Sequence, residues 1–152
     1  MTTNKRGFTY MCSNFLKIME QVFYDKLHHI LTNKVTKHDT GCHITHILPY
    51  KGSRGYPRIH FTYLRKRFQV KIHTYVFRMT NDIPPYIRDE NLECSHLCHN
   101  KQCIFIDHLV MEPHKINIKR QECNRKKLCL GHEGYPKCIS LCVKVKNIYI
   151  YT

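Results

Sequence analysis

Two back-to-back clusters of cysteine and histidine constrain this chain more than any other feature of its sequence. The first runs Glu93-Cys94-Ser95-His96-Leu97-Cys98-His99-Asn100-Lys101-Gln102-Cys103 and on to His108. The second is Cys123, Cys129, His132 and Cys138. Zinc takes four thiolate or imidazole ligands in a tetrahedron, and short spacings let one loop supply several of them. Cys98, Cys103 and His108 offer three ligands on a compact loop. The fourth is either Cys94 nearby or Cys42, at the start of an expected strand. The second cluster, with five, two and five intervening residues, is complete by itself. Four protein ligands at each site make both closed and structural, since a catalytic zinc keeps an open position. Cys12 and Cys142 remain and read as small core residues.

The rest of the composition explains why such staples are needed. The 152-residue chain has no Trp, and its apolar residues are scattered among Lys, Arg and His. That predicts one domain, or one domain with arms, and a core too thin to stand without reinforcement. An odd count of nine cysteines, mostly paired with histidines at short spacing, argues against a disulfide framework. The polar, basic start from Met1 to Phe8 does not read as a signal peptide, and no apolar run has the length of a membrane span. The expected setting is a reducing, intracellular one with metal-bound thiolates. A net charge of +14 calls for a polyanionic partner, nucleic acid ahead of an anionic membrane surface. Basic runs near 65–67 and 125–127 are compatible with nuclear import in a eukaryote.

Along the chain, residues 1–12 form a basic lead-in. Residues 13–33 read as a helix, with Leu16, Met19, Phe23, Leu27 and Ile30 at three- and four-residue steps and Ser13 as N-cap. His28 and His29 fit its surface. Residues 34–41 read as a polar connector, and Cys42 to Leu48 as a strand ending at Pro49. After a turn at Lys51-Gly52-Ser53-Arg54-Gly55, the stretch from Tyr56 to Tyr63 alternates like a strand. Leu64-Arg65-Lys66-Arg67 is a basic turn, with a second strand near Phe68-Gln69-Val70. The side chains of Arg54, Arg58, His60, Thr62, Arg65, Lys66, Arg67, Gln69 and Lys71 suit a ribbon that reaches phosphates and base edges in a major groove. Ile72, Tyr75, Val76 and Met79 predict a helix over 71–80, ended by Asn81-Asp82-Ile83-Pro84-Pro85. The cluster region 93–142 reads as loops, short strands and a helix near 106–120, and 143–151 as a strand.

At this point the residues resemble a known family. Ser95-His96-Leu97-Cys98-His99-Asn100, the spacing to Cys103 and His108, then Leu109, Glu112 and Asn117 are similar to the His-Cys box of homing endonucleases, a branch of the ββα-metal or His-Me finger nucleases. The likeness is tight from Glu93 to Cys138 and looser over 42–92. It implies a small zinc-stabilised α+β fold with few helices, antiparallel hairpins and long loops. The expected parts are an arm and helix over 1–41, a nuclease domain over 42–142 and a tail strand over 143–152. The DNA-binding hairpin would span about 54–71 and the His-Cys box 93–138.

The resemblance also implies roles. His96 matches the general base, Asn117 the protein ligand of a catalytic Mg²⁺, and Arg58 the arginine on the scissile phosphate, with Arg65 as its substitute. Cys42, Cys98, Cys103 and His108 match the first zinc site, and Cys123, Cys129, His132 and Cys138 the second. Lys119, Arg120, Arg125 and Lys126 would add contacts to the duplex backbone. The implied activity is site-specific hydrolysis of double-stranded DNA by a homodimer, with two structural zinc ions, one Mg²⁺ and no small-molecule substrate. Family members exchange long C-terminal tails across the two-fold axis. Here the tail strand or the N-terminal helix would take over that contact. The rival readings are a DNA-binding module that has lost catalysis, a non-specific nuclease on the same scaffold, and a purely structural zinc protein. Presence of both His96 and Asn117 speaks against the first rival.

Overall fold

The structure is a computed structural model that describes residues 21–83, apart from Phe23, Lys26 and Leu64, and residues 91–139. Expectations for the lead-in, Ser13, Leu16, Met19, Phe23, the Pro84-Pro85 stop, Cys12, Cys142 and the tail strand lie outside the described residues. Among those described, three antiparallel strand pairs and three α-helices make a small α+β protein. No helix among the described residues is long and apolar enough to cross a membrane.

Helix α1 runs through 21–33 and buries Leu27 and Ile30 from its apolar stripe, leaving His28 and His29 exposed. The chain then forms β1 (Val35–Lys37) and β2 (His43–Thr45), paired with Val35 opposite Thr45 and Lys37 opposite His43. The expected polar connector therefore contains a strand. Three mostly polar residues are too few to show alternation, and the partner strand holds them in place. Gly41, at φ +78°, closes the turn in a conformation that favours glycine.

Strands β3 (Arg58–Tyr63) and β4 (Lys66–Lys71) form the expected hairpin, with Arg65 in its turn. Lys66 and Arg67 belong to β4 rather than to the turn. Helix α2 (Ile72–Thr80) follows without a linker and is capped at Asn81. Ile72, Tyr75 and Val76 pack with Leu27, Ile30, Ile59 and Ile104 into the main apolar core, with Met79 at its border.

Strands β5 (Leu92–His96) and β6 (Leu109–Pro113) pair from Leu92 opposite Pro113 to His96 opposite Leu109. The loop between them carries the first cluster and a short 3₁₀ turn, Ile106–His108. Helix α3 (His114–Lys126) follows directly. The stretch near 106–120, where at least one helix was expected, is thus three elements: a turn, a strand and a helix displaced toward the C-terminus. Leu109 to Glu112 pair with β5, and the extended Pro113, at ψ 147°, delays the helix to His114. Two antiparallel strands followed by a helix make a ββα unit.

The helix–strand interface in this unit is polar. Ile116 and Arg120 are the buried residues of α3. His114, Asn117 and Arg120 recur at three-residue steps, so they share a face of the helix. Glu93 and Glu112 stand directly opposite each other across β5 and β6 and share a face of the strand pair. The helical stripe lies on these two carboxylates.

Candidate metal centres and catalytic cleft

The first Cys-His cluster is assembled by docking, not by local sequence alone. Residues 102–104 run beside β2: Thr45 N–H donates to Gln102 O at 3.1 Å and Ile104 N–H to His43 O at 2.8 Å. This brings Cys42 to Cys98, Cys103 and His108, all four buried, with ligand atoms within 4.8 Å of one another. His108 Nδ1 lies 3.5 Å from Cys42 Sγ and 3.6 Å from Cys103 Sγ. Tetrahedral zinc at ordinary bond lengths separates nitrogen and sulfur ligands by about 3.5 Å. The donor set and its spacing fit zinc. A hydrogen bond from Cys98 pulls the Cys103 thiol below its usual range. Cys94, the alternative fourth ligand, instead faces the His73 carbonyl at 4.0 Å, and burial pushes its thiol up to about 12.

The second cluster is local. Cys123 sits in the last turns of α3, and Cys129, His132 and Cys138 in the loop beyond. His132 Nε2 lies 3.8, 3.4 and 3.4 Å from the sulfurs of Cys123, Cys129 and Cys138. The Cys138 N–H points at Cys129 Sγ at 3.5 Å, a bond that favours a thiolate. This site fits zinc equally well. The two loops are joined, because Ile139 N–H donates to Leu97 O at 2.9 Å.

Beside the first cluster lies a cleft of about 550 Å³ whose walls include His96, Asn117, Arg58 and Glu93. His96 ends β5 and is 7% exposed. Its Nε2 is 3.0 Å from the carbonyl of Cys103, so it carries the proton there and leaves Nδ1 as the acceptor. Because Cys103 is a cluster residue, a bound metal would fix the carbonyl that aims the ring. Burial holds His96 down to about 4, keeping it neutral near pH 7. Behind it, His73 packs at 4.4 Å between ring centroids, and Tyr56 lies at 6.0 Å.

Asn117, on the second turn of α3, donates from Nδ2 to Glu93 Oε2 at 2.6 Å. Glu93 Oε1 accepts from His114 Nδ1 at 2.8 Å. Burial raises the Glu93 carboxyl, but the hydrogen bonds from Asn117 and His114 outweigh it and the group titrates below the usual range. The opposite wall of the cleft is basic. Lys71 and Lys101 approach the Tyr56 ring at 4.9 and 5.1 Å, and Lys101 Nζ also donates to Arg54 O at 3.0 Å.

The expected DNA-contacting residues divide by position. Arg58, His60 and Thr62 of β3 stand opposite Lys71, Gln69 and Arg67 of β4, so these six share one set of the ribbon's register. Ile59 and Val70 belong to the other set, and Ile59 is buried. Lys66 pairs with Tyr63 in that second set, apart from the other cations. Arg54 reaches the cleft, whereas Arg65 occupies the hairpin turn at φ +60°. Lys119 is exposed on α3, and Arg125 and Lys126 pair with Glu122. Arg120 corrects the expectation of a duplex contact: it is 1% exposed and bound to Glu112 inside the ββα unit. Its burial follows from its place on the helix face that meets the strands, which a run of basic letters does not show.

Lys101, Tyr56, His73 and His114 had no assigned role from sequence. Lys101 stands between two cluster residues and carried a positional signal. The other three carried none, since distant elements bring them to the cleft.

The family described as the zinc-binding loop region of homing endonuclease matches residues 41–146, a span containing both clusters, His96 and Asn117. No curated protein matches the chain.

Proposed function

Because the chain belongs to the family of homing-endonuclease zinc-binding loop regions, we propose that it is a site-specific endonuclease of double-stranded DNA. The observation that carries this reading is the meeting of His96, Asn117 and Arg58 in one cleft, with the His96 ring anchored through the Cys103 carbonyl. His96 Nδ1 takes the proton of a water whose oxygen attacks phosphorus. The bond from phosphorus to the 3′ oxygen breaks, leaving a 5′ phosphate and a 3′ hydroxyl that takes its proton from solvent. Arg58 binds a non-bridging phosphate oxygen and neutralises charge that grows during attack. The Asn117 carboxamide oxygen is a hard ligand suited to Mg²⁺, which prefers oxygen and retains several waters. When bound, that ion would stabilise the developing negative charge on the phosphate and the departing oxygen. The two zinc ions are structural in this reading.

The ribbon set of Arg58, His60, Thr62, Arg67, Gln69 and Lys71 supplies groove and backbone contacts, and the charge of +14 supplies the general attraction. One such centre cuts one strand, so cutting both strands calls for two protomers. The working state is a homodimer in a reducing compartment that holds DNA, the nucleus in a eukaryotic host.

The test is cleavage of plasmid and random-library DNA, with Mg²⁺ and with EDTA, by the wild type and by His96→Ala. Discrete, Mg²⁺-dependent cuts lost in the variant support the proposal. Broad fragmentation would replace site specificity with a non-specific nuclease. Binding without cutting by either protein would leave a DNA-binding module.

A further inference from the structure

We infer that Glu93 is a positioning residue that, braced by His114, sets the orientation of the Asn117 carboxamide. This rests on the nuclease reading for its purpose but not for its geometry. The starting point is an anomaly of charge. Glu93 stands directly across from Glu112, a like-charged cross-strand neighbour that costs stability. Each carboxylate has its own donor on α3. Glu112 is held by Arg120, with Nε at 2.8 and 2.9 Å and Nη2 at 2.7 Å. Glu93 is held by Asn117 and His114 at 2.6 and 2.8 Å. Glu112 therefore needs nothing from Glu93, and the ββα interface is tied together without it.

What Glu93 does do is chemical. An ionised carboxylate only accepts hydrogen bonds, whereas a carboxamide has one donating and one accepting end. Pairing with Glu93 therefore turns the Asn117 NH₂ toward β5 and leaves Oδ1, the end that can bind a hard cation, pointing away from Glu93. The hydrogen bond of His114 to the other carboxylate oxygen stops Glu93 from rotating out of register with Asn117. A neutral or donating group at position 93 would let the amide turn over and present nitrogen, which does not bind Mg²⁺. Among the described residues, Glu93 is also the one acidic residue on the cleft wall, against Arg54, Arg58, Lys71 and Lys101. It lies where a phosphate-binding surface would otherwise omit a negative charge.

The experiment uses the full-length, zinc-loaded protein and has two arms. In the first, the side-chain amide of Asn117 is observed by ¹⁵N NMR. The wild type should show one NH₂ proton displaced downfield by the carboxylate, and Glu93→Ala should return it to the free-amide position. An amide unchanged by Glu93→Ala overturns the inference. In the second arm, the Mg²⁺ dependence of DNA cleavage is measured for Glu93→Gln, Asn117→Asp and the double variant, with zinc content as the check on folding. Asn117→Asp sets two carboxylates against each other, so the orienting hydrogen bond to Glu93 is lost. The Mg²⁺ needed for half-maximal rate should rise by about 10–100-fold, the range for losing a partner that orients a metal ligand. Adding Glu93→Gln restores a donor–acceptor pair and should recover at least about tenfold of that loss. A double variant no better than Asn117→Asp, with both zinc ions retained, overturns the inference while the nuclease reading stands. A wild type that never cuts overturns the nuclease reading, and the NMR arm still decides the pairing.

Discussion

Arg120 clasps Glu112 inside the ββα unit, with Nη2 and Oε2 2.7 Å apart and the two side chains 1% and 0% exposed. The same guanidinium donates from Nη1 to Cys138 Sγ at 3.6 Å. One side chain therefore ties β6 to α3 and reaches a ligand of the second cluster. Removing one partner leaves the other charge buried and alone, so Arg120→Met should cost about 3–5 kcal/mol in unfolding free energy. The double change Arg120→Met with Glu112→Leu should recover most of this, since a packed apolar pair replaces a buried ion pair at little loss. Denaturant unfolding of the wild type and these two variants measures both values. If the double variant is as unstable as the single, the bond to Cys138 is the dominant role of Arg120.

The docking of β2 on residues 102–104 makes a sharp distinction between two cysteines. Purified protein should contain two zinc ions per chain by elemental analysis. Cys42→Ser should reduce this to one and lower the melting temperature, because the β1–β2 hairpin loses its tie to the first cluster. Cys94→Ser should retain both. Chelation should melt the fold as well as release metal, since binding and folding of such sites are coupled.

His73 gives a testable pH dependence. Burial first, then the neighbouring His96 and Lys71, hold it well below its usual 6.5. The unfolded chain takes up a proton near 6.5, and the folded protein resists doing so. The contribution of neutral His73 is thus fully present above pH 6.5 and is lost as pH falls toward the folded-state value. The slope should be about 1.4 kcal/mol per pH unit for this one proton. His73→Phe keeps the ring packing against His96 and Tyr56 and removes the titration. Its stability should fall less steeply than wild type between about pH 6.5 and 5. Parallel curves would assign the acid loss to other groups.

Arg58 and Arg65 lie on one hairpin but in different surroundings. Arg58→Ala should lower the cleavage rate at saturating DNA by about 100-fold, the scale of losing a group that stabilises developing charge. Arg65→Ala should leave that rate unchanged and weaken binding, with the salt slope of log K reduced by about one. A reversed result would place the scissile phosphate at the hairpin turn.

Much of this molecule is readable from its letters because the constraints are local. The second cluster lies within one helix end and loop, so its ligands follow from spacing. The β3–β4 hairpin and α2 follow from alternation and three-to-four periodicity, patterns that survive because each element has one buried face. The helix expected near 106–120 holds only from His114 onward, for the opposite reason. Leu109 to Glu112 carry no helical or extended preference strong enough to decide, and the hydrogen bonds of β5 decide for them. The strand at Val35–Lys37 was invisible on the same grounds.

By itself the sequence determined two Cys-His clusters that could hold zinc, a basic ribbon, and the family likeness around His96 and Asn117, because all of these are set by residue type and short separation. Spacing left Cys42 and Cys94 both open, and tertiary structure brings Cys42 to the first cluster, as the family likeness implied. It also buried Arg120 against Glu112 and placed Glu93 against Asn117. Those outcomes depend on which faces of distant elements meet, and a hydrogen bond or a desolvation energy exists only once they do.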